Sequence, residues 1–550
     1  MPQLQINQGP QDALLYDNTR SYFTNVGYVR TSNFQMELRD VQPVSQAQFG
    51  SRVDYVIPKS ADLLGPIDLI VDLNPAEAVT GTTAAIIGNY SAWVESLGYA
   101  MIEEMSFMIG SHTVEKITGD QMNIMNELMK GDNQRQHKLV GKTGRSAITL
   151  DVDESAAPAG TYLTGTYTVN DSSKERLICT GVVPEKGKQL IIPLSFFFTK
   201  HPSQYFPLCA IAGCNDVRVS IKFRALNELL IIGRHNYVTE STAKKGALAV
   251  ADVFAPLQSV ASAVHPLPKF AKAIEAAQLR CHYVHVTGPE ATTLMNKEHV
   301  RLMKLWHHQP TTFKVTHGAP PSGKDSSFEI NLGFLHPVQE LIITVRKRGN
   351  MTSSTEPGTK PNLVDQGATT KNYFAYEGGG SDPNIESHLQ KIKAHGTHQA
   401  TSSTTANYLQ VRNFKLSLNG QERHPSLAGT GIERGYLMDR LMPMLHSNTS
   451  ETFTSASVTD AGHDASATFA HLGEMLDRKE IYVYPFALNP EGANPSGAVN
   501  FSKVSHAKLT IDYTAFLGAA DADEEYVVDV YGVYFNWLQI KDGRALTSFQ

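Results

Sequence analysis

The chain has 550 residues, 41% of them hydrophobic and 19% charged, with a formal net charge of −6. That composition is globular, and the length exceeds what one core usually serves, so two domains are expected. An acidic balance with no long basic run argues against a protein that wraps nucleic acid.

The first residues, MPQLQINQGPQDALL, lack the basic start and apolar core of a signal peptide, and Pro2 stands where N-myristoylation needs glycine. No apolar run approaches the ~18 residues of a membrane helix. A soluble protein of a cytosol-like compartment is the expectation. Residues 1–27 are polar with scattered aromatics and read as an extended arm or a disordered tail. Over 28–75, Phe34, Met36 and Leu38 alternate with polar residues, and Tyr55-Val56-Ile57-Pro58 leads to DLLGPIDLIVDL (62–73), which ends in an alternating strand. A strand over 101–109 runs into Gly110-Ser111, where glycine accepts a positive φ. Asp120 is placed to cap a short helix with apolar Met122, Met125, Leu128 and Met129, a stripe that suits core packing better than a cofactor face.

Residues 131–188 are rich in Gly, Ser and Thr and suit a large exposed loop with weak strands. LIIPLSFFF (190–198) opens as a strand covered on both faces, and Val217, Val219, Ile221 and Phe223 alternate. Residues 236–276, alanine-rich and broken by Pro256, Pro266 and Pro268, look like an insertion. LRCHYVHVT (279–287) forms a last strand.

The second half then repeats the plan. VQELIITVR (338–346) answers IDLIVDL, and FKLSLNGQ (414–421) answers MSFMIGSH, with Asn419-Gly420 a favoured two-residue hairpin turn. IYVYPFAL answers LIIPLSFFF, KLTIDYTAF (508–516) answers RVSIKFRAL, and VYGVYFNWLQI (530–540) answers CHYVHV. The order is kept at offsets of roughly 250–310 residues, so a duplicated domain is the natural reading. Stretches 349–407 and 446–478 are too polar to build a core and are expected to be surface loops. Strands without intervening helices fit antiparallel sandwiches.

Residues 481–513 organise this half. Tyr482, Tyr484 and Phe486 share one parity, and Ile481, Val483 and Pro485 the other. Asn489-Pro490-Glu491-Gly492 and Asn494-Pro495-Ser496-Gly497 form a turn-rich run that no helix tolerates, and Leu509, Ile511 and Tyr513 share a face of the next strand. Phe486-Ala487-Leu488, Pro490-Glu491, Pro495-Ser496-Gly497 and Asn500-Phe501-Ser502 at this spacing resemble a signature near the C-terminus of the major capsid proteins of nucleocytoplasmic large DNA viruses. Ile57-Pro58 before the 62–73 strand, Gly119-Asp120 with Asn126-Glu127-Leu128, and the Ile-Pro-Leu and Phe-Arg ends of the 190–226 segment are similar to that family as well.

The resemblance implies an all-β chain of two consecutive eight-stranded antiparallel jelly rolls, with long loop insertions and a few short helices. On that plan residues 1–27 are an arm under the capsomer, 28–290 the first jelly roll, and 291–550 the second with a C-terminal tail. It implies a structural protein and no enzyme, homotrimerising into pseudo-hexameric capsomers of an icosahedral virion capsid, assembled in the host cytoplasm. Its partners would be itself, neighbouring capsomers, minor capsid and penton proteins, and proteins of an internal membrane, with no direct nucleic acid. A minor capsid or spike protein on the same fold, and a secreted carbohydrate-binding protein or glycan hydrolase of two sandwiches, are the rivals.

Searches for chemistry return no catalytic, cofactor-binding or metal residues and no cofactor. GAPPSGKD (318–325) has phosphate-loop spacing, but Pro320 and Pro321 remove needed amides and Asp325 replaces the magnesium-binding hydroxyl. Gly141-Lys142-Thr143 has Gln136 where the upstream glycine belongs, and GTGIERG (429–435) is one residue too long for a dinucleotide fingerprint; all three read as loops. His307-His308 would point to opposite faces of a strand. Asp521, Asp523, Glu524 and Glu525 lack the EF-hand ligand order and read as a solvated turn. Arg346, Lys347 and Arg348 read as a solvated strand end. Cys179, Cys209, Cys214 and Cys281 form no CxxC pair and read as buried thiols. Asn89, Asn170, Asn350, Asn448 and Asn500 begin sequons that a cytosolic chain would not glycosylate.

Overall fold

The computed structural model describes residues 33–77, 89–128, 139–142, 186–234, 270–316, 324–348, 373–377, 408–446, 480–516 and 524–548, apart from 95, 212–214, 287, 375, 425–429 and 493, together with short pieces between 150 and 184. The expected arm over 1–27, and most of 236–276, 349–407 and 446–478, lie outside the described residues.

Within the described residues the strands fall into two sets. The first comprises β1 (Phe34–Val41), β2 (Arg52–Ile57), β3 (Leu63–Leu73), β4 (Ile102–Ile109), β5 (His112–Ile117), β6 (Lys188–Leu194), β7 (Val217–Phe223) and β8 (Ile274–Val286). They pair antiparallel in the orders β1-β8-β3-β6 and β2-β7-β4-β5. The second set comprises β9 (His299–Val315), β10 (Lys324–Asn331), β11 (Pro337–Lys347), β12 (Tyr408–Leu418), β13 (Gln421–Glu422), β14 (Ile481–Pro485), β15 (Ala507–Phe516) and β16 (Glu524–Lys541). Their orders are β9-β16-β11-β14 and β10-β15-β12-β13. Both sets therefore obey one plan: strands 1, 8, 3 and 6 in one sheet and 2, 7, 4 and 5 in the other. Every strand correspondence read from the sequence lands on this plan.

Alternation builds each sandwich core. In the first, Val53 and Tyr55 of β2, Leu69 and Val71 of β3, Val219 and Ile221 of β7, and Leu279, Cys281 and Tyr283 of β8 are buried together. Phe107 of β4 is ringed by Phe196, Phe198 and Phe206 at 5.6, 4.9 and 5.3 Å between centroids. In the second, Leu341, Ile343 and Val345 of β11 meet Leu409 and Val411 of β12 and Leu509 and Ile511 of β15. The hairpins close as glycine chemistry requires: Gly110 has φ 61°, and Asn419 and Gly420 have φ 52° and 81°.

Several local expectations need correction. β8 begins at Ile274, so the 236–276 insertion ends in strand. β6 is not covered on both faces: Leu190, Ile192 and Leu194 are buried, whereas Ile191 and Pro193 are half-exposed. The helix α1 (Gly119–Leu128) is capped by Thr118, whose hydroxyl accepts the Gln121 amide at 3.3 Å; Asp120 lies inside the first turn and has another use. The expected loop 131–188 contributes Leu177–Thr180 and Val183–Pro184 to a four-stranded sheet with Asn89–Trp93 and Leu230–Arg234, joining the β3–β4, β5–β6 and β7–β8 connections.

Because the three rings of Phe196, Phe198 and Phe206 lean on Phe107, Phe107→Ala is expected to cost about 3–5 kcal/mol. Thermal melting should show a clear downward shift, and a surface control such as Lys116→Ala none.

Candidate functional site: the joint between the two sandwiches

The sheet β9-β16-β11-β14 is sealed on both faces. Along β11, Leu341, Ile343 and Val345 face their own sandwich, while Glu340, Ile342, Thr344 and Arg346 face the first half; all are at most 3% exposed. On β16, Val528 and Val530 face inward and Tyr531 and Val533 join the first half's core. On β14, Tyr482 and Tyr484 divide from Ile481 and Val483 in the same way. Burial on both faces explains why apolar residues fall on both parities in LIITV (341–345) and IYVY (481–484).

Arg346 pins this joint, and the expectation of a solvated strand end is wrong for it. The side chain is 2% exposed. Its guanidinium meets Asp529 Oδ2 at 2.5 and 2.8 Å, Asp120 Oδ2 of α1 at 3.2 Å, and the Tyr373 carbonyl at 3.0 Å. Burial works against the charge, but Asp120 and Asp529 outweigh it and raise the Arg346 pKa further. Burial likewise opposes the Asp529 carboxylate, yet Arg346 and His308 hold its pKa below the usual value. His308 bonds Asp529 Oδ1 at 2.7 Å and stacks on Tyr531 at 4.5 Å. His307 packs on Phe334 instead, so the adjacent histidines do diverge.

Tyr373, Phe374 and Tyr376 correct a second expectation. They belong to the polar stretch 349–407, yet all three are buried against the first half. Arg224 lies 4.4 Å over the Tyr373 ring, Tyr373 donates to the Glu228 carbonyl, and Asn123 of α1 donates to the Tyr376 hydroxyl at 3.2 Å. A few aromatics inside a polar run suffice to anchor it.

The signature loop is fixed to strands of its own sandwich. Lys304 of β9 donates to the carbonyls of Pro490 (2.6 Å) and Gly492, and Gln339 donates to Pro490 (3.0 Å). Asn489 Oδ1 accepts the Gly492 amide, and Ser496 Oγ bonds both backbone groups of Asn489. Glu491 and Glu340 lie 3.5 and 2.8 Å from opposite nitrogens of buried His446. Burial pushes the imidazolium down, but the two carboxylates prevail and its pKa rises to about 9. Nearby, burial raises Glu115 to about 8, against the pull of the Phe197 amide and the Lys200 charge. Lys304 is lowered to about 8, by burial first.

Other residues singled out by sequence fall elsewhere. Met122, Met125 and Leu128 are buried, while Met129 lies outside the described residues. Asp325 opens β10 and accepts from Thr514 at 2.6 Å; residues 318–323 are not described. Lys142 forms a buried ion pair with Glu127. Glu525 is in a strand, paired with Arg348 and Lys314, rather than in a solvated turn. Ile432–Glu433 of GTGIERG pairs with β12. Cys281 is buried as expected, but Cys209 is only partly so; burial raises the Cys209 thiol to about 11 and the Cys281 thiol to about 12. Among the described residues no cluster of His, Cys, Asp and Glu has the arrangement of a metal site.

Two sandwiches of one strand order, locked through a sealed sheet, define a double jelly-roll protein. Residues 21–284 match the family described as "Major capsid protein N-terminus". The major capsid protein of Phaeocystis pouchetii virus is 24% identical, covering 98% of this chain and 97% of its own length; that of Chrysochromulina ericina virus is 25% identical with the same coverage. Among solved structures, the PBCV-1 virus capsid superposes with a TM-score of 0.53 at 17% identity, over 96% of this chain and 100% of the other. The Faustovirus major capsid protein does so at 0.54 and 11%, over 95% and 93%. Over nearly its whole length the chain is thus similar to the major capsid proteins of large DNA viruses.

Removing Arg346 leaves Asp120 and Asp529 buried without their cation, so Arg346→Met is expected to cost about 3–5 kcal/mol, read as a lowered melting temperature. Asp120→Ala should cost less, because Asp529 remains. Stability should also fall as pH rises from 6.5 to 8. The folded state binds protons more tightly than the unfolded chain at His446, between 6.5 and about 9, and at Glu115, between 4.5 and about 8. Lys304, depressed from 10.5 to about 8, acts oppositely above pH 8. In melting scans across pH, His446→Gln should flatten the decline.

Proposed function

We propose that this chain is the repeating structural subunit of the icosahedral shell of a large double-stranded DNA virus, and that it homotrimerises into pseudo-hexameric capsomers. The observation that carries this reading is the duplicated 1-8-3-6 and 2-7-4-5 strand order. Two equivalent sandwiches in one rigid chain make two near-equal wedges, so three chains make six and the product tiles a hexagonal lattice. The sealed joint supports it further, because a wedge that flexed would not hold a lattice angle. Contacts within the trimer should bury on the order of 2,000–5,000 Å². Contacts between trimers should be smaller and more polar, so that misplaced tiles can leave.

In this reading the partners are other copies, neighbouring capsomers, minor capsid and penton proteins and proteins of an internal membrane, and assembly takes place in the host cytoplasm. The net charge of −6 suits a coat that does not touch the genome. The role is structural rather than enzymatic.

Purified protein should sediment as a trimer at micromolar concentration. A stable monomer would count decisively against the capsomer. Densitometry of gels of purified virions should find this chain the most abundant protein; low copy number would instead favour a minor capsid or spike protein of the same fold.

A further inference from the structure

The two sandwiches are topological copies, yet their counterpart faces differ in what covers them. In the second half, Ile342 pairs with Tyr531 and Val483 across the outer face of β9-β16-β11-β14. In the first half, Ile70 holds the same place, paired with Gln278 and Ile191 across the outer face of β1-β8-β3-β6. The second-half face is sealed by the first half of the same chain. Among the described residues the first-half face is only partly covered: Ile70 is buried, but Met36 is 52% and Leu38 61% exposed, and Ile191 and Pro193 are half-buried. The polar groups on it form a lattice, with Arg280 bonded twice to Asp40 at 2.8 and 3.1 Å and His282 3.5 Å from Asp68. Asp40, Asp68 and Asp72 outnumber Arg280, leaving an acidic excess.

Inside one chain, the sealed sheet is met by α1, which follows strand 5 of the first half and sends Asp120 to Arg346. The second-half counterpart follows β13: the helical residues Tyr436–Leu441 and Met442–Leu445. Whereas nearly all of α1 is buried, Tyr436 is 51% and Met444 57% exposed, and Arg440 is exposed as well. A partly exposed face with an acidic excess and an exposed helical segment carrying Arg440, next to Asp439 in the chain, would match each other with the charges of Asp120 and Arg346 exchanged.

We propose that the outer face of β1-β8-β3-β6 in one copy seats on the 436–445 segment of a second copy, repeating between chains the contact that α1 makes within one. This rests on the capsomer reading and names the surfaces that build it. The contact is heterologous, face to segment, so it closes into a ring when three chains have each used both surfaces. It also accounts for the apolar outer residues of β1 and β6, which the described residues leave exposed or only half-buried.

Two double variants test it by sedimentation: Met36→Glu with Leu38→Glu breaks the face, and Tyr436→Glu with Met444→Glu breaks the segment. Each should be monomeric where the wild type is trimeric, with an unchanged circular dichroism spectrum and melting temperature. An equimolar mixture should recover a dimer and no trimer, because the intact segment of one variant meets the intact face of the other. Arg440→Glu, a milder change, should weaken the trimer at least tenfold in low salt. Variants that stay trimeric, or monomers that fail to recombine, overturn the assignment while the capsomer stands. A monomeric wild type overturns the capsomer itself.

Discussion

A single buried guanidinium sets the relation between the two halves. Arg346 stands at the end of β11 between Asp529 of its own sheet and Asp120 of the other sandwich. Burying apolar surface would hold the halves together at many angles, since that force has no direction. A fork of donors in a dry site accepts carboxylates only along its own axes, and its charge is costly to bury without them. Stacked His308–Tyr531 and the Tyr373–Arg224 contact fix the same neighbourhood from both sides.

The most recognisable stretch of the chain owes its residue types to contacts with its own sandwich. In Asn489-Pro490-Glu491-Gly492 the turn presents the carbonyls of 490 and 492 to Lys304, while Glu491 faces His446. Asn489 holds the turn shut through its side chain, and proline offers an acceptor with no competing amide. Gly497 sits at φ 136°, where an added Cβ would come within 2.9 Å of the Phe486 carbonyl. The signature therefore describes a turn locked onto β9, β11 and His446 of its own sandwich.

Duplication has left two sheets with the same wiring and different surroundings. β11 and β14 are buried on both parities because both faces are covered, and the polar residues of β11 there, Glu340 and Arg346, are paired. β8 alternates Leu279, Cys281 and Tyr283 with Gln278, Arg280 and His282, as a strand with one open face does. The first half thus keeps on its surface what the second half has buried, and the asymmetry between equivalent sheets separates an internal contact from an external one.

Strands, hairpins and their repetition were legible in the sequence, because alternation, turn glycines and apolar runs act over a few residues: Asn419-Gly420, the faces of β14 and the pairing of halves needed no tertiary information. The same local logic put Arg346 in water and left Tyr373 and Tyr376 in a polar loop, since nothing nearby marks their fate. Their partners Asp529, Asp120, Glu228 and Asn123 are far away in the chain and come into reach only when two completed sandwiches meet. Local pattern determined which strands form and in what order they repeat. Only the tertiary structure decided which of two equivalent sheets is sealed, because burial of a charge depends on partners that folding alone brings together.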